Sequence, residues 1–166
     1  MELGLKDKVV VVTGGSKGIG FAAAKLFAEE GAHVLISARG EDALNRACDE
    51  ISTKTGGTVD AFPADVSVVS DLDALTAFVR ERYNRVDVLV NNAGTGTYKS
   101  FLEVTDEDLE YGMAINFFAQ FRLSQRLVPM MMENGGGTIV NVAGRTAYQP
   151  ANPPGSTCTG PAKAAE

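Results

Sequence analysis

The stretch VVVVTGGSKGIG, residues 9–20, decides the fold. Its first five residues, Val9–Thr13, form an unbroken β-branched run, the pattern of a strand covered on both faces. Glycines then stand at 14, 18 and 20, a G-x-x-x-G-x-G spacing. From there Ile19, Ala22, Ala23, Leu26 and Phe27 recur at helical spacing until Gly31. A glycine turn between a strand and a helix lets backbone approach a pyrophosphate and aims a helix N-terminus at it. Glycine turns also serve purely structural ends, but the strand–turn–helix context favours a dinucleotide site. Its candidate residues are Gly14, Ser16, Lys17, Gly18, Ile19 and Gly20.

Outward from this unit, apolar runs alternate with helical patterns. His33–Ser37 reads as a strand and Glu41–Thr53 as a helix. A third strand lies within Thr58–Asp65 and ends near Pro63, and Val68, Leu72, Leu75 and Val79 mark the next helix. Val86–Gly94 carries a fourth strand. Thr105 is placed as a helix N-cap, with Asp106 to Asp108 where acids suit the helix dipole. A long helix is expected from Tyr111 to Glu133, with Ile115, Ala119, Leu123, Leu127 and Met130 on one side. Gly135–Gly144 holds a fifth strand, and residues 144–160 turn to Pro, Gly, Ser and Thr, as a loop over a site does. This alternation predicts an α/β fold: a Rossmann-like, doubly wound parallel sheet of five strands with helices on both faces. A single dinucleotide-binding domain over residues 1–166 is expected.

Composition narrows the partners. The chain of 166 residues carries a net charge of −6, which disfavours nucleic acid and anionic membranes. No apolar run reaches membrane-spanning length, and the N-terminus lacks the apolar core of a signal peptide. Cys48 and Cys158 are too few for a disulfide frame and read as reduced thiols in a cytoplasmic protein. With one His, no metal site is expected.

The end of the second strand selects the dinucleotide. An acid there hydrogen-bonds the ribose 2′-hydroxyl of NAD, whereas Arg suits the 2′-phosphate of NADP. The chain has Ala38 followed by Arg39, and Lys17 in the glycine loop adds a second cation. Both are ordinary surface charges in most settings, but at these two places they predict NADP(H) over NAD(H).

TGGSKGIG, Asp65-Val66 after the third strand, and NNAG (Asn91–Gly94) after the fourth resemble the short-chain dehydrogenase/reductase family, from about Lys8 to Lys163. The resemblance implies a nicotinamide cofactor. It places Asp65 on the adenine with Val66 beside it, and Asn91, Asn92, Ala93 and Gly94 on the adenosine side. It also implies a catalytic Asn, Ser, Tyr and Lys. In that family Tyr protonates the carbonyl, Lys holds the ribose and lowers the Tyr pKa, Ser polarises the carbonyl and Asn supports a relay water. Asn116 in MAINFFAQ and Lys163 in GPAKAA match two of these. Thr159 stands where the family has Tyr, and Gly144 where it has Ser. An alkyl hydroxyl is a poor proton donor beside a phenol, so Tyr148, Thr146, Ser156 and Thr157, in the same loop, are candidate replacements.

The family pattern also continues past the Lys helix with further strands, so the domain is expected to be incomplete at the C-terminus, leaving an uncovered edge strand. The function expected is NADP-dependent hydride transfer between nicotinamide and a small-molecule carbonyl or alcohol. A non-catalytic dinucleotide-binding module and an interaction protein are the competing readings. The resemblance implies pairing through the long helix that carries Asn116 and the helix starting near Lys163, so a homodimer or homotetramer through residues 111–133 is expected.

Overall fold

In the computed structural model, which describes residues 3–148 and 155–166, the valine run forms the middle strand of a five-stranded sheet. The strands are β1 (Val9–Thr13), β2 (His33–Ala38), β3 (Val59–Pro63), β4 (Val88–Asn91) and β5 (Thr138–Asn141), ordered β3-β2-β1-β4-β5. Every pairing is parallel, with Val10 opposite both Val34 and Val88. All five residues of β1 are buried. Val10 and Val12 pack with Val34, Ile36 and Val90 against α1 (Gly18–Glu29) and α2 (Glu41–Thr55). Val11 points the other way, with Leu35 and Leu89, against α3 (Val69–Arg82) and α5 (Ala119–Glu133). Apolar residues on both sides of one strand are the reason the run does not alternate.

The order places β1 between β2 and β4, so the crossovers leave it in opposite directions and open a crevice at the carboxyl ends of β1 and β4. At the opposite end, Asp87 fastens the two strands. Its carboxylate accepts from the Val9 N–H (2.9 Å), from Lys8 (3.2 Å) and twice from Arg85 (2.6 and 2.7 Å). Burial alone raises a carboxyl pKa, but these donors prevail and hold Asp87 lowered to about 2.

The helix expected over Tyr111–Glu133 starts earlier and is interrupted. Thr105 caps α4 (Asp106–Met113): its hydroxyl accepts from the Asp108 N–H at 3.3 Å, while the Asp108 carboxylate accepts from the Thr105 N–H at 3.1 Å. A π-helical turn, Ala114–Phe118, then joins α4 to α5. The side predicted to be apolar is buried from Ile115 through Met130.

The other expected strands and helices form within a few residues of their predicted limits. All four residues of β5 are exposed, and β5 is an edge among the described residues, as anticipated. The loop after it contains a 3-10 turn, Arg145–Ala147, and reaches α6 (Thr159–Ala165). Its residues 149–154 lie outside the described residues.

Candidate functional site

The glycine loop is tied to the end of β4 by an interlocked set of bonds. The Thr13 hydroxyl accepts from the N–H groups of Asn92 and Ala93, both at 3.0 Å. The Asn92 amide donates to the carbonyls of Thr13 (3.0 Å) and Gly14 (3.3 Å). Gly14 takes φ +67°, a region that favours glycine. A Cβ on Gly20 would fall 2.4 Å from the Gly14 carbonyl oxygen, so residue 20 has room only for hydrogen.

This framework leaves a cavity of about 590 Å³ facing the N-terminus of α1. Gly14, Ser16, Lys17, Gly18 and Ile19 line it from the loop, Arg39 from the turn after β2, Asp65 and Val66 from the turn after β3, and Asn92, Ala93 and Gly94 from the turn after β4. The Arg39 guanidinium donates to the Tyr111 hydroxyl (3.2 Å) and stands 3.9 Å from the Asp65 carboxylate. Asp65 in turn accepts from the Ser67 N–H at 2.9 Å and hydroxyl at 2.6 Å. Backbone held close by glycine and a helix N-terminus suit the pyrophosphate of a dinucleotide.

Three residues expected at the cofactor do not line this first cavity. Asn91 does not reach the cavity: it is buried, and its amide donates to Ser124 (3.2 Å) and Asn141 (2.9 Å). Gly20 packs against Gly14 and Asn92 instead of lining the cavity. Lys163 lines a neighbouring cavity. Tyr111 and Ile115, both on the cavity wall, went unrecognised as site residues although their separation of one helical turn was readable.

The neighbouring cavity, about 370 Å³, shares Ile19, Asn92, Gly94 and Thr95 with the first. Lys163, Thr159, Gly144 and Thr146 are among its lining residues. The Lys163 ammonium donates to the Val142 carbonyl (3.2 Å) and pairs with the Glu166 carboxylate (2.9 Å), which also accepts from Gln120. Asn116, in the π-helical turn, is fully buried. Its amide donates to the carbonyls of Thr95 and Gly112, both at 2.9 Å, and its carbonyl accepts from the Thr95 N–H at 3.3 Å. It therefore braces the shared wall without lining either cavity. Gly94 brings the group together: a Cβ there would stand 2.8 Å from the Asn116 carbonyl oxygen and 3.2 Å from the Lys163 nitrogen.

Among the candidate replacement hydroxyls, Thr146 alone lines this cavity. A Cβ on Gly144 would stand 3.5 Å from the Thr146 hydroxyl, so that hydroxyl reaches the space beside residue 144. Tyr148 is 87% exposed, and neither it nor Ser156 or Thr157 contributes to the lining. Thr159 is buried, and its hydroxyl finds no hydrogen-bond partner among the described residues. Burial, helped by Asp108, pushes the adjacent Cys158 thiol up, which keeps it protonated.

The model of the short chain dehydrogenase family matches residues 8–163. A 7alpha-hydroxysteroid dehydrogenase of Escherichia coli is 38% identical over 146 residues, 88% of this chain and 56% of that protein. A fatty acyl-CoA reductase of Mycobacterium tuberculosis is 40% identical over 141 residues, 84% of this chain and 48% of its own length. The chain thus spans about half the length of the curated relatives it matches. Among solved structures, L-sorbose reductase from Gluconobacter frateurii complexed with NADPH and L-sorbose superposes with a TM-score of 0.94 at 38% identity. That match covers 99% of this chain and 62% of the reductase. A 7alpha-hydroxysteroid dehydrogenase complexed with NADH and 7-oxo glycochenodeoxycholic acid gives 0.90 at 36% identity, covering 97% of this chain and 62% of that one.

Proposed function

The chain belongs to the short-chain dehydrogenase family, and on that premise we propose that it transfers hydride between NADP(H) and a small carbonyl or alcohol substrate. The observation that carries the reading is the shared wall of the two cavities: Ile19, Asn92, Gly94 and Thr95 line both. A molecule extended along the first cavity therefore reaches the second, where Lys163 stands. When bound, the nicotinamide supplies or accepts the hydride.

The remaining work falls to side chains. The N-terminus of α1 and the glycine-loop backbone hold the pyrophosphate. Lys17 and Arg39 take the 2′-phosphate, with Tyr111 orienting Arg39 at 3.2 Å. Ala38 offers no carboxylate to the 2′-hydroxyl, which supports NADP(H) over NAD(H). Lys163 binds the ribose hydroxyls on the nicotinamide side. Asn116 fixes the backbone of Thr95, and Gly94 keeps room for both. Thr146 directs its hydroxyl to the substrate oxygen.

Exposed Phe118 and Phe121 on the 111–133 segment support pairing of copies into a homodimer or homotetramer there. The free thiols of Cys48 and Cys158 agree with a cytoplasmic setting. NADPH oxidation is the test, followed with a panel of ketones, aldehydes and 3-oxoacyl thioesters. Substrate-dependent oxidation is expected; tight NADPH binding with no turnover on any member sinks the reading.

A further inference from the structure

The family position for the acid holds Thr159, so the proton needs another source. The chain has four tyrosines, and all are described. Tyr83 donates to Asp60 at 2.5 Å, remote from the cavities. Tyr111 lines the dinucleotide cavity, and the exposed Tyr148 lines neither cavity. Tyr98 lines the same cavity as Lys163, Thr146 and Thr159, and is 56% exposed. Its pose depends on Gly96, where a Cβ would fall 2.8 Å from the phenol oxygen and 2.8 and 2.9 Å from ring carbons.

No Asp, Glu, His or Cys lines this cavity among the described residues. Residues 149–154, QPANPP, carry no ionisable side chain. The protons on the cavity wall that can ionise therefore belong to Tyr98, Lys163 and Arg145. An Arg does not give up its proton. Lys163 is held by the Val142 carbonyl and the Glu166 carboxylate. The phenol remains.

We propose that Tyr98 is the catalytic proton donor to the substrate carbonyl oxygen; the proposal rests on the hydride-transfer reading above. The reductant is a reduced nicotinamide dinucleotide. The carbonyl carbon gains hydride and forms its new C–H bond as the C=O π pair moves to oxygen. That oxygen takes the Tyr98 proton as the phenol O–H bond breaks. Solvent water reprotonates the phenolate, which its half-exposed position permits.

The test uses the full chain and Tyr98→Phe. Single-turnover NADPH oxidation, with the ketone reduced fastest, is expected to fall at least about a hundredfold, while the dissociation constant for NADPH changes by less than about twofold. Adding Thr159→Tyr to that variant restores part of the rate by returning a phenol to the Lys163 cavity. A second readout needs no turnover. With no Trp in the chain, its emission is tyrosine emission, so acetophenone titrated with NADP+ present quenches the wild type more than Tyr98→Phe. A rate within about threefold of wild type in Tyr98→Phe, or equal quenching of the two chains, overturns the proposal. Turnover that appears only with Thr159→Tyr also overturns it, because the acid was then lost instead of moved. No turnover by either chain, with NADPH bound, overturns the reductase reading itself and this proposal with it.

Discussion

The two cavities are built by opposite means. The dinucleotide cavity is framed largely by one supersecondary unit, β1 with its glycine turn and α1, closed by the turns after β2, β3 and β4. Its decisive features are local: glycine spacing, a helix start, and a cation just past a strand. The Lys163 cavity draws on the turn after β4, the loop after β5 and α6, with Asn116 bracing it from the π-helical turn. Its residues are distant in sequence and depend on packing for their geometry. Local architecture tolerates little change but is easy to read. The assembled cavity holds Thr159 and Gly144 beside Lys163, at the two positions where the resemblance led us to expect Tyr and Ser.

The contrast can be broken most severely at Gly20. Gly20→Ala drives a methyl into the Gly14 carbonyl and the Asn92 amide, and NADPH affinity by calorimetry is expected to fall about a hundredfold or more. At the shared wall, Gly94→Ala pushes on Asn116 and Lys163 together. Turnover is expected to drop about thirtyfold, with a smaller loss of NADPH affinity; an equal loss of both would show that the two cavities do not divide the labour. Arg39→Ala sharpens the first cavity: NADPH affinity falls about tenfold, as for one charge-assisted contact to phosphate, while NADH affinity is unchanged.

The smallest effect on ligand binding comes from the far end of the sheet. Asp87 has its carboxyl lowered to about 2 in the folded chain, against about 3.9 when unfolded. Its contribution is therefore complete above about pH 5 and lost progressively as pH falls toward 2. Asp87→Asn is expected to lower thermal stability at pH 7 and flatten the acid limb of the melting curve, with NADPH affinity at pH 7 unaltered. A loss of affinity there would show that the clamp reaches the cavities through β1.

Reading the sequence went furthest where periodicity is strong. The valine run, both faces of covering helix and the Thr105 cap were all legible, because burial on a sheet and satisfaction of helix-end N–H groups leave fixed residue spacings. Asn91 and Asn92 show the limit. Adjacent positions at a strand end point to opposite faces, and the register that sent Asn91 to Ser124 and left Asn92 on the cavity is a property of the folded sheet. The π-helical turn at Asn116 had no signal, since one wider turn leaves little trace in composition. Within the loop after β5, Thr146, Tyr148, Ser156 and Thr157 were equivalent on paper, because an irregular loop has no period from which to deduce direction.

By itself, then, the sequence determined the parallel α/β fold, the glycine cradle and the charges that flank it, for these rest on neighbours along the chain and on repeating burial. Tertiary structure alone decided that Gly94 would seat Asn116 beside Lys163, that Thr146 would be the loop hydroxyl on the cavity, and that Tyr98 would share its wall. Those meetings join residues far apart in sequence, and only the packing of helices and loops onto the sheet fixes distances of that range.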